Sequence, residues 1–167
     1  SNIRTDEYGG PIENRARLML EATDAAISVW GANRVGVHLA PRGDAYEGDS
    51  DPKSTFGYVA RELGKRRIAF ICARESLGEN RIGPFLKKEF GGVYIANEGF
   101  TLASAQSAIA EGRADAVAFG KLFIANPDLP KRFANGSPLN NWDTATFYSP
   151  GPHGYTDYPR ATEPEPA

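Results

Sequence analysis

Gly120 and Lys121 stand side by side after one short apolar run, and Glu98 and Gly99 after another. Glycine lets backbone N–H groups approach an anion closely and lysine adds a compact positive charge, so both pairs could serve a phosphate group. A tight turn with a solvated lysine fits the Gly-Lys spacing too, and the residues alone leave both readings open. His38 lies inside a third run, sharing one side with Gly36 and Ala40 while Val35, Val37 and Leu39 share the other. The small side suits a planar ligand beside the imidazole; a buried histidine satisfied by neighbouring backbone fits equally well. Arg42, Asp44, Arg74 and Glu75 follow the first and second runs and are expected at the mouth of the same site.

Other chemistries find little support. The two histidines are His38 and His153, no Ser/His/Asp arrangement or metal-ligand spacing is visible, and no GxGxxG occurs. Cys72 is the single cysteine, which excludes a disulfide within the chain. Inside IAFICA it is expected to be a buried structural thiol. Of the 167 residues 41% are hydrophobic and 24% charged, and the net charge of −2 points to no nucleic-acid partner. No run approaches the roughly 18 apolar residues of a membrane span, and SNIRTDEYGG does not resemble a signal peptide, so a cytoplasmic setting is expected.

The elements that must position these residues can be read from the pattern. RVGVHLAP from Arg34, RIAFICAR from Arg67, GVYIANE from Gly92 and DAVAFGK from Asp115 read as strands. Each is apolar nearly throughout, as a parallel strand covered on both faces would be. Helical segments lie between them, which is the alternation of βα units. The first helix starts near Pro11, carries Leu18, Ala22, Ala25 and Val29 on one face, and stops at Gly31. Further helices are expected over 52–66, 83–90 and 101–111, the last with Thr101 as N-cap and Gly112 as terminator. Asn126 and Pro127 look like the N-cap and first residue of a fifth. Beyond Asn135 the chain is polar and rich in Pro and Gly.

A parallel sheet of four such strands would keep two open edges, whereas eight strands close into a (β/α)₈ barrel with its site at the C-terminal strand ends. Periodicity alone leaves two architectures open: the C-terminal half of such a barrel, or a complete four-stranded α/β sandwich.

Three stretches carry a family resemblance. NIRTDEYGGPIENRARL, DAVAFGKLFIANPDLP and TFYSPGPHGYTDYP closely resemble, in this order, the old yellow enzyme family of FMN-dependent ene-reductases. The likeness runs from Ser1 to about Arg160 and looks nearest to the branch of glycerol trinitrate, xenobiotic and N-ethylmaleimide reductases. It implies a TIM barrel, non-covalent FMN, and electrons passing from NAD(P)H to an activated alkene, nitroester or nitro compound. It also implies that this chain supplies strands five to eight over residues 1–135, a docking tail over 136–160 and a disordered end over 161–167. The complementary N-terminal half would be its partner, holding the proton donor and the carbonyl-binding pair, with no catalytic residue here.

Carried over by the same resemblance, the amides around Glu98 and Gly99 and those of Gly120 and Lys121 match positions that grip the FMN phosphate. Lys121 stands where most relatives have arginine, keeping the charge and losing the two-pronged hydrogen bond. His38 matches a position usually held by arginine beside the flavin N1 and O2 atoms, so a fixed positive charge is lost there. Phe147 and Tyr148 match tail aromatics along the flavin and substrate cleft. Two other readings compete: an inactive half-barrel that pairs with itself or a partner and only binds phosphate, and another phosphate-binding barrel enzyme with a Schiff-base lysine. The second does not account for the three motifs.

Overall fold

The computed structural model describes residues 2–42 and 49–161. Asp44 and residues 162–167 lie outside the described residues. The chain divides into two compact units, residues 1–118 and 119–167, each taken here by itself.

The first unit opens with helix α1 (Ile12–Trp30), between Pro11 and Gly31, whose φ of 81° is a conformation glycine tolerates. Strand β1 (Gly36–Arg42) follows a short 3₁₀ turn, and then come α2 (Pro52–Lys65), β2 (Phe70–Glu75), α3 (Gly83–Phe90), β3 (Val93–Asn97), α4 (Leu102–Ala110) and β4 (Ala116–Ala118). The expected alternation is therefore present. Local chemistry explains several ends. Asp51 accepts the Ser54 N–H at 3.0 Å to cap α2. Thr101 and Ser104 exchange side-chain-to-backbone bonds as a capping box at the start of α4. Gly112, with φ 70°, ends that helix as expected.

The four strands form one parallel sheet in the order β1-β2-β3-β4. Burial alternates along them. Leu39, Ile71, Ala73, Tyr94 and Ala96 are buried on the phase that faces the helices. On the other phase, Phe70 is 37% and Val93 49% exposed, and Gly36 and His38 are exposed. The expectation of strands covered on both faces thus holds for one face among the described residues.

The face of α1 needs a similar correction. Ala16, Leu20 and Thr23 are the buried positions, while Leu18 is 66% and Val29 73% exposed, with Ala22 and Ala25 exposed between them. At about 100° per residue the two sets lie on opposite sides of the helix. Periodicity located an apolar stripe, but α1 has two, and it packs against α2 with the other. Polar ties fix that packing: Arg15 donates to Asp49 at 2.9 Å and Thr55 at 3.0 Å, and Arg66 donates to both oxygens of Asp24 at 2.7 and 2.9 Å.

The second unit contains α5 (Lys121–Ala125), α6 (Leu129–Asn135) and the tail. Asn126 is not the N-cap of a helix but the C-cap of α5. α6 begins after Asp128, and Asn126 is fully buried, donating to the Leu122 carbonyl at 2.9 Å and accepting the Asn140 N–H at 2.7 Å. Arg132, also buried, donates to Asp128 at 2.7 Å and to the carbonyls of Pro138 and Pro159 at 2.5 and 2.7 Å. The tail is thus tied to α5 and α6 by buried polar groups. Phe119 and Phe133 add an edge-to-face contact at 5.3 Å. No helix among the described residues is long and apolar enough to cross a membrane.

Candidate functional site

The turn after β3 is the most unusual backbone of the first unit. Glu98 has φ 86° and Gly99 φ 75°, two left-handed residues in succession, the first of which carries a side chain that disfavours this region. A Cβ at Gly99 would lie 3.1 Å from Leu77 Cγ, so both conformation and space favour glycine there. Among the described residues, nothing accepts a hydrogen bond from the backbone N–H of Glu98 or Gly99. Two consecutive unbonded amides at a strand's C-terminal end are an anion-binding arrangement. Asn97 steadies the turn by donating to the Ala118 carbonyl at 2.9 Å, pinning β3 to β4.

Arg74 approaches this turn from β2, where it pairs in register with Asn97. Its Nε donates to Glu98 Oε2 at 2.8 Å and its Nη2 to Oε1 at 3.4 Å, so each carboxylate oxygen meets the guanidinium. The sequence placed Arg74 at a site mouth without linking it to Glu98. A signal was available, because Arg74 shares the alternating phase of Phe70 and Cys72.

The same alternation corrects Glu75, which must face the opposite way from Arg74. Glu75 is fully buried, accepts the N–H groups of Ile82 at 2.7 Å and Gly83 at 2.9 Å, and has Arg42 at 3.5 Å and Arg81 at 3.7 Å. It anchors α3 and does not line a mouth. Arg81 stacks over Phe100 at 4.8 Å. Beside this cluster the Tyr94 hydroxyl is buried without a hydrogen-bond partner, and burial pushes its pKa up.

His38 lies on the uncovered phase of β1, in register with Cys72, which is in register with Ile95 and through it with Ala116. Its row across the sheet is Cys72, Ile95 and Ala116, while along β1 its phase holds Gly36. Cys72 is half-buried, and burial raises its thiol pKa, which favours the inert protonated form. No group of three or more His, Cys, Asp or Glu that could hold a metal exists among the described residues.

In the second unit Gly120 immediately precedes α5 and Lys121 begins it. Among the described residues their N–H groups also lack acceptors, and a Cβ at Gly120 would meet nothing within 4 Å. Lys121 is exposed, Phe147 half-buried, and Tyr148 99% exposed.

Comparison with known proteins supplies the context. Residues 1–140 match the model of the NADH:flavin oxidoreductase / NADH oxidase family. Putative 12-oxophytodienoate reductase 6 of Oryza sativa subsp. japonica is 43% identical over 172 residues, covering 95% of this chain and 44% of that protein. 12-Oxophytodienoate reductase 2 of Arabidopsis thaliana is 41% identical over 169 residues, covering 95% and 45%. The old yellow enzyme homologue from Zymomonas mobilis superposes with a TM-score of 0.89 at 39% identity, covering 95% of this chain and 47% of that one. Morphinone reductase in complex with tetrahydroNAD gives 0.89 at 42% identity, covering 96% and 45%. The chain spans less than half the length of these relatives. The motifs, the parallel βα units and these matches agree: the chain belongs to the NADH:flavin oxidoreductase / NADH oxidase family, the old yellow enzymes, whose cofactor is FMN and whose electron donor is NAD(P)H.

Proposed function

We propose that the chain is the flavin-anchoring C-terminal half of an FMN-dependent ene-reductase or nitroester reductase. The observation that carries this reading is the turn at Glu98–Gly99, whose consecutive amides lack acceptors at the C-terminal end of a parallel strand. In barrels of this class the phosphate of a cofactor is held at such ends. Each unit by itself offers groups suited to FMN: in the first, the Glu98 and Gly99 amides would meet a phosphate and His38 would give one hydrogen bond to the flavin edge; in the second, the Gly120 and Lys121 amides and the Lys121 ammonium would meet a phosphate. Phe147 and Tyr148 would border the substrate cleft. Bound FMN would supply the hydride carried from NAD(P)H to an activated alkene, nitroester or nitro compound. The chain's own part is to bind and orient it, and the proton donor and carbonyl-binding pair are assigned to a complementary N-terminal half.

That partner is supported by what the first unit leaves uncovered. Phe70 and Val93 on the sheet, and Leu18, Ala22, Ala25 and Val29 on α1, present apolar surface that a second half-barrel would bury. The test is reconstitution: the purified chain is mixed with the N-terminal half of a related old yellow enzyme and FMN. A yellow complex that, with oxygen excluded, turns over NADPH only when an enone is present is the expected result. Absence of both colour and oxidation would overturn the reading.

A further inference from the structure

Glu98 puts a negative charge at the turn proposed to receive a phosphate, and its backbone adopts a conformation that glycine would take more easily. The other left-handed non-glycine residue among the described residues, Arg67 (φ 54°), donates its N–H to the Gly64 carbonyl at 3.0 Å as a helix-ending turn does. Glu98 has no such closing bond among the described residues. Its carboxylate is instead gripped by Arg74 through both oxygens, at 2.8 and 3.4 Å. The pair is partly shielded from water, the side chains being 17% and 35% exposed, so its charges are less screened than those of a surface pair.

A bare carboxylate beside these amides would oppose a phosphate dianion, whereas a guanidinium held against both of its oxygens offsets that repulsion. We infer that Arg74 is a further cofactor-positioning residue: by gripping Glu98 it offsets the negative charge that would otherwise keep the FMN phosphate from the Glu98 and Gly99 amides. This rests on the flavin reading above and adds a residue to it. Arg74 acts through Glu98 and need not touch the reacting atoms.

The experiment compares FMN with riboflavin, which lacks the phosphate, by fluorescence titration of the full chain and its variants, each mixed with the same N-terminal half. Circular dichroism melts check the folding of each. Arg74→Gln is expected to weaken FMN binding by about tenfold or more, the range of a charge-assisted contact, and riboflavin binding by less than about threefold. Adding Glu98→Gln to Arg74→Gln should restore most of the lost FMN affinity, Arg74→Lys should retain part of it, and Glu98→Gln alone should tighten FMN. Equal losses for the two flavins, or a double variant as weak as Arg74→Gln, would overturn the inference. So would wild-type preference for FMN over riboflavin that Arg74→Gln leaves intact, and in that case the flavin reading itself would stand. If the wild-type chain mixed with the N-terminal half bound neither flavin and inorganic phosphate moved neither the Glu98 nor the Gly99 amide resonance, both readings would fall together.

Discussion

Glu75 Oε2 accepts the N–H of Gly83 at 2.9 Å, tying the last residue of β2 to the first residue of α3. Its other oxygen takes the Ile82 N–H at 2.7 Å, and a Cβ at Gly83 would sit 2.5 Å from the Tyr94 hydroxyl. The carboxylate is fully buried between Arg42 and Arg81. Removing it by Glu75→Ala would leave two amides without their acceptor and two guanidinium groups without their counter-charge. The expected loss is about 3 kcal/mol of stability for the first unit, measured by urea denaturation. A loss under about 0.5 kcal/mol would show that the cluster is not structural.

A second prediction concerns acid. Asp115 accepts from Lys87 Nζ at 2.8 Å and from the Tyr94 N–H at 2.8 Å, and these hold its pKa below the ordinary aspartate value, the Lys87 hydrogen bond contributing most. A carboxylate depressed on folding contributes stability above its unfolded pKa and loses it as pH falls through the folded one. Asp115→Asn should therefore destabilise the chain near neutral pH and shrink that deficit below about pH 4, where the wild-type carboxylate is itself becoming protonated. Thermal melts of both proteins across this range provide the check. A deficit that stays constant down to the lowest pH would contradict the assignment.

In the second unit the prediction is about the tail. Arg132 reaches both Pro138 and Pro159, and Asn140 donates to the Ala125 and Pro159 carbonyls at 2.8 Å each, so the segment from Pro138 to Pro159 is closed by two side chains. Arg132→Ala should expose this segment to protease, with cleavage after Tyr148 or Tyr155 by chymotrypsin accelerated about tenfold or more through the lost charge-assisted bonds. Unchanged cleavage would mean that other contacts hold the tail.

How far the sequence carried can be judged from particular residues. The strands were legible because each is a short run of branched and small apolar residues, and Thr101 and Gly112 marked α4 because capping and left-handed termination are local chemistry. The face of α1 was not legible: Leu18 and Leu20 are both apolar, and which one is covered depends on α2, a neighbour distant in sequence. Asn126 misled for a related reason. Its amide can cap a helix or bridge a buried turn, and the choice depends on Asn140. In the candidate site, Glu98 and Gly99 were marked by their place at a strand's end and by the family resemblance, while the left-handed backbone and the grip of Arg74 emerge only when β2 and β3 lie side by side.

The exposed face of α1 gives a prediction that separates folding from pairing. Leu18 and Val29 point away from the buried face, so replacing both with glutamate should change the stability of the chain alone by no more than about 0.5 kcal/mol per site. If this face meets a complementary half, two buried charges without partners would be strongly unfavourable there. Yellow complex should then fail to form from Leu18→Glu/Val29→Glu and an N-terminal half, although the chain melts normally. Normal reconstitution would place the partner elsewhere.

Gly120→Ala asks a narrower question of the phosphate site. Gly120 has φ −91°, in the range open to other residues, and an added Cβ meets no atom within 4 Å among the described residues. The variant should therefore fold as the wild type does, within about 0.5 kcal/mol. A glycine that folding does not require is understandable where a ligand approaches the backbone closely, since a methyl group there would hold the ligand off. FMN affinity should fall by about tenfold, the scale of one charge-assisted hydrogen bond, while riboflavin affinity stays the same. Were FMN to bind Gly120→Ala as tightly as the wild type, the Gly120 amide would not be a phosphate ligand and the site would have to rest on Glu98, Gly99 and Lys121.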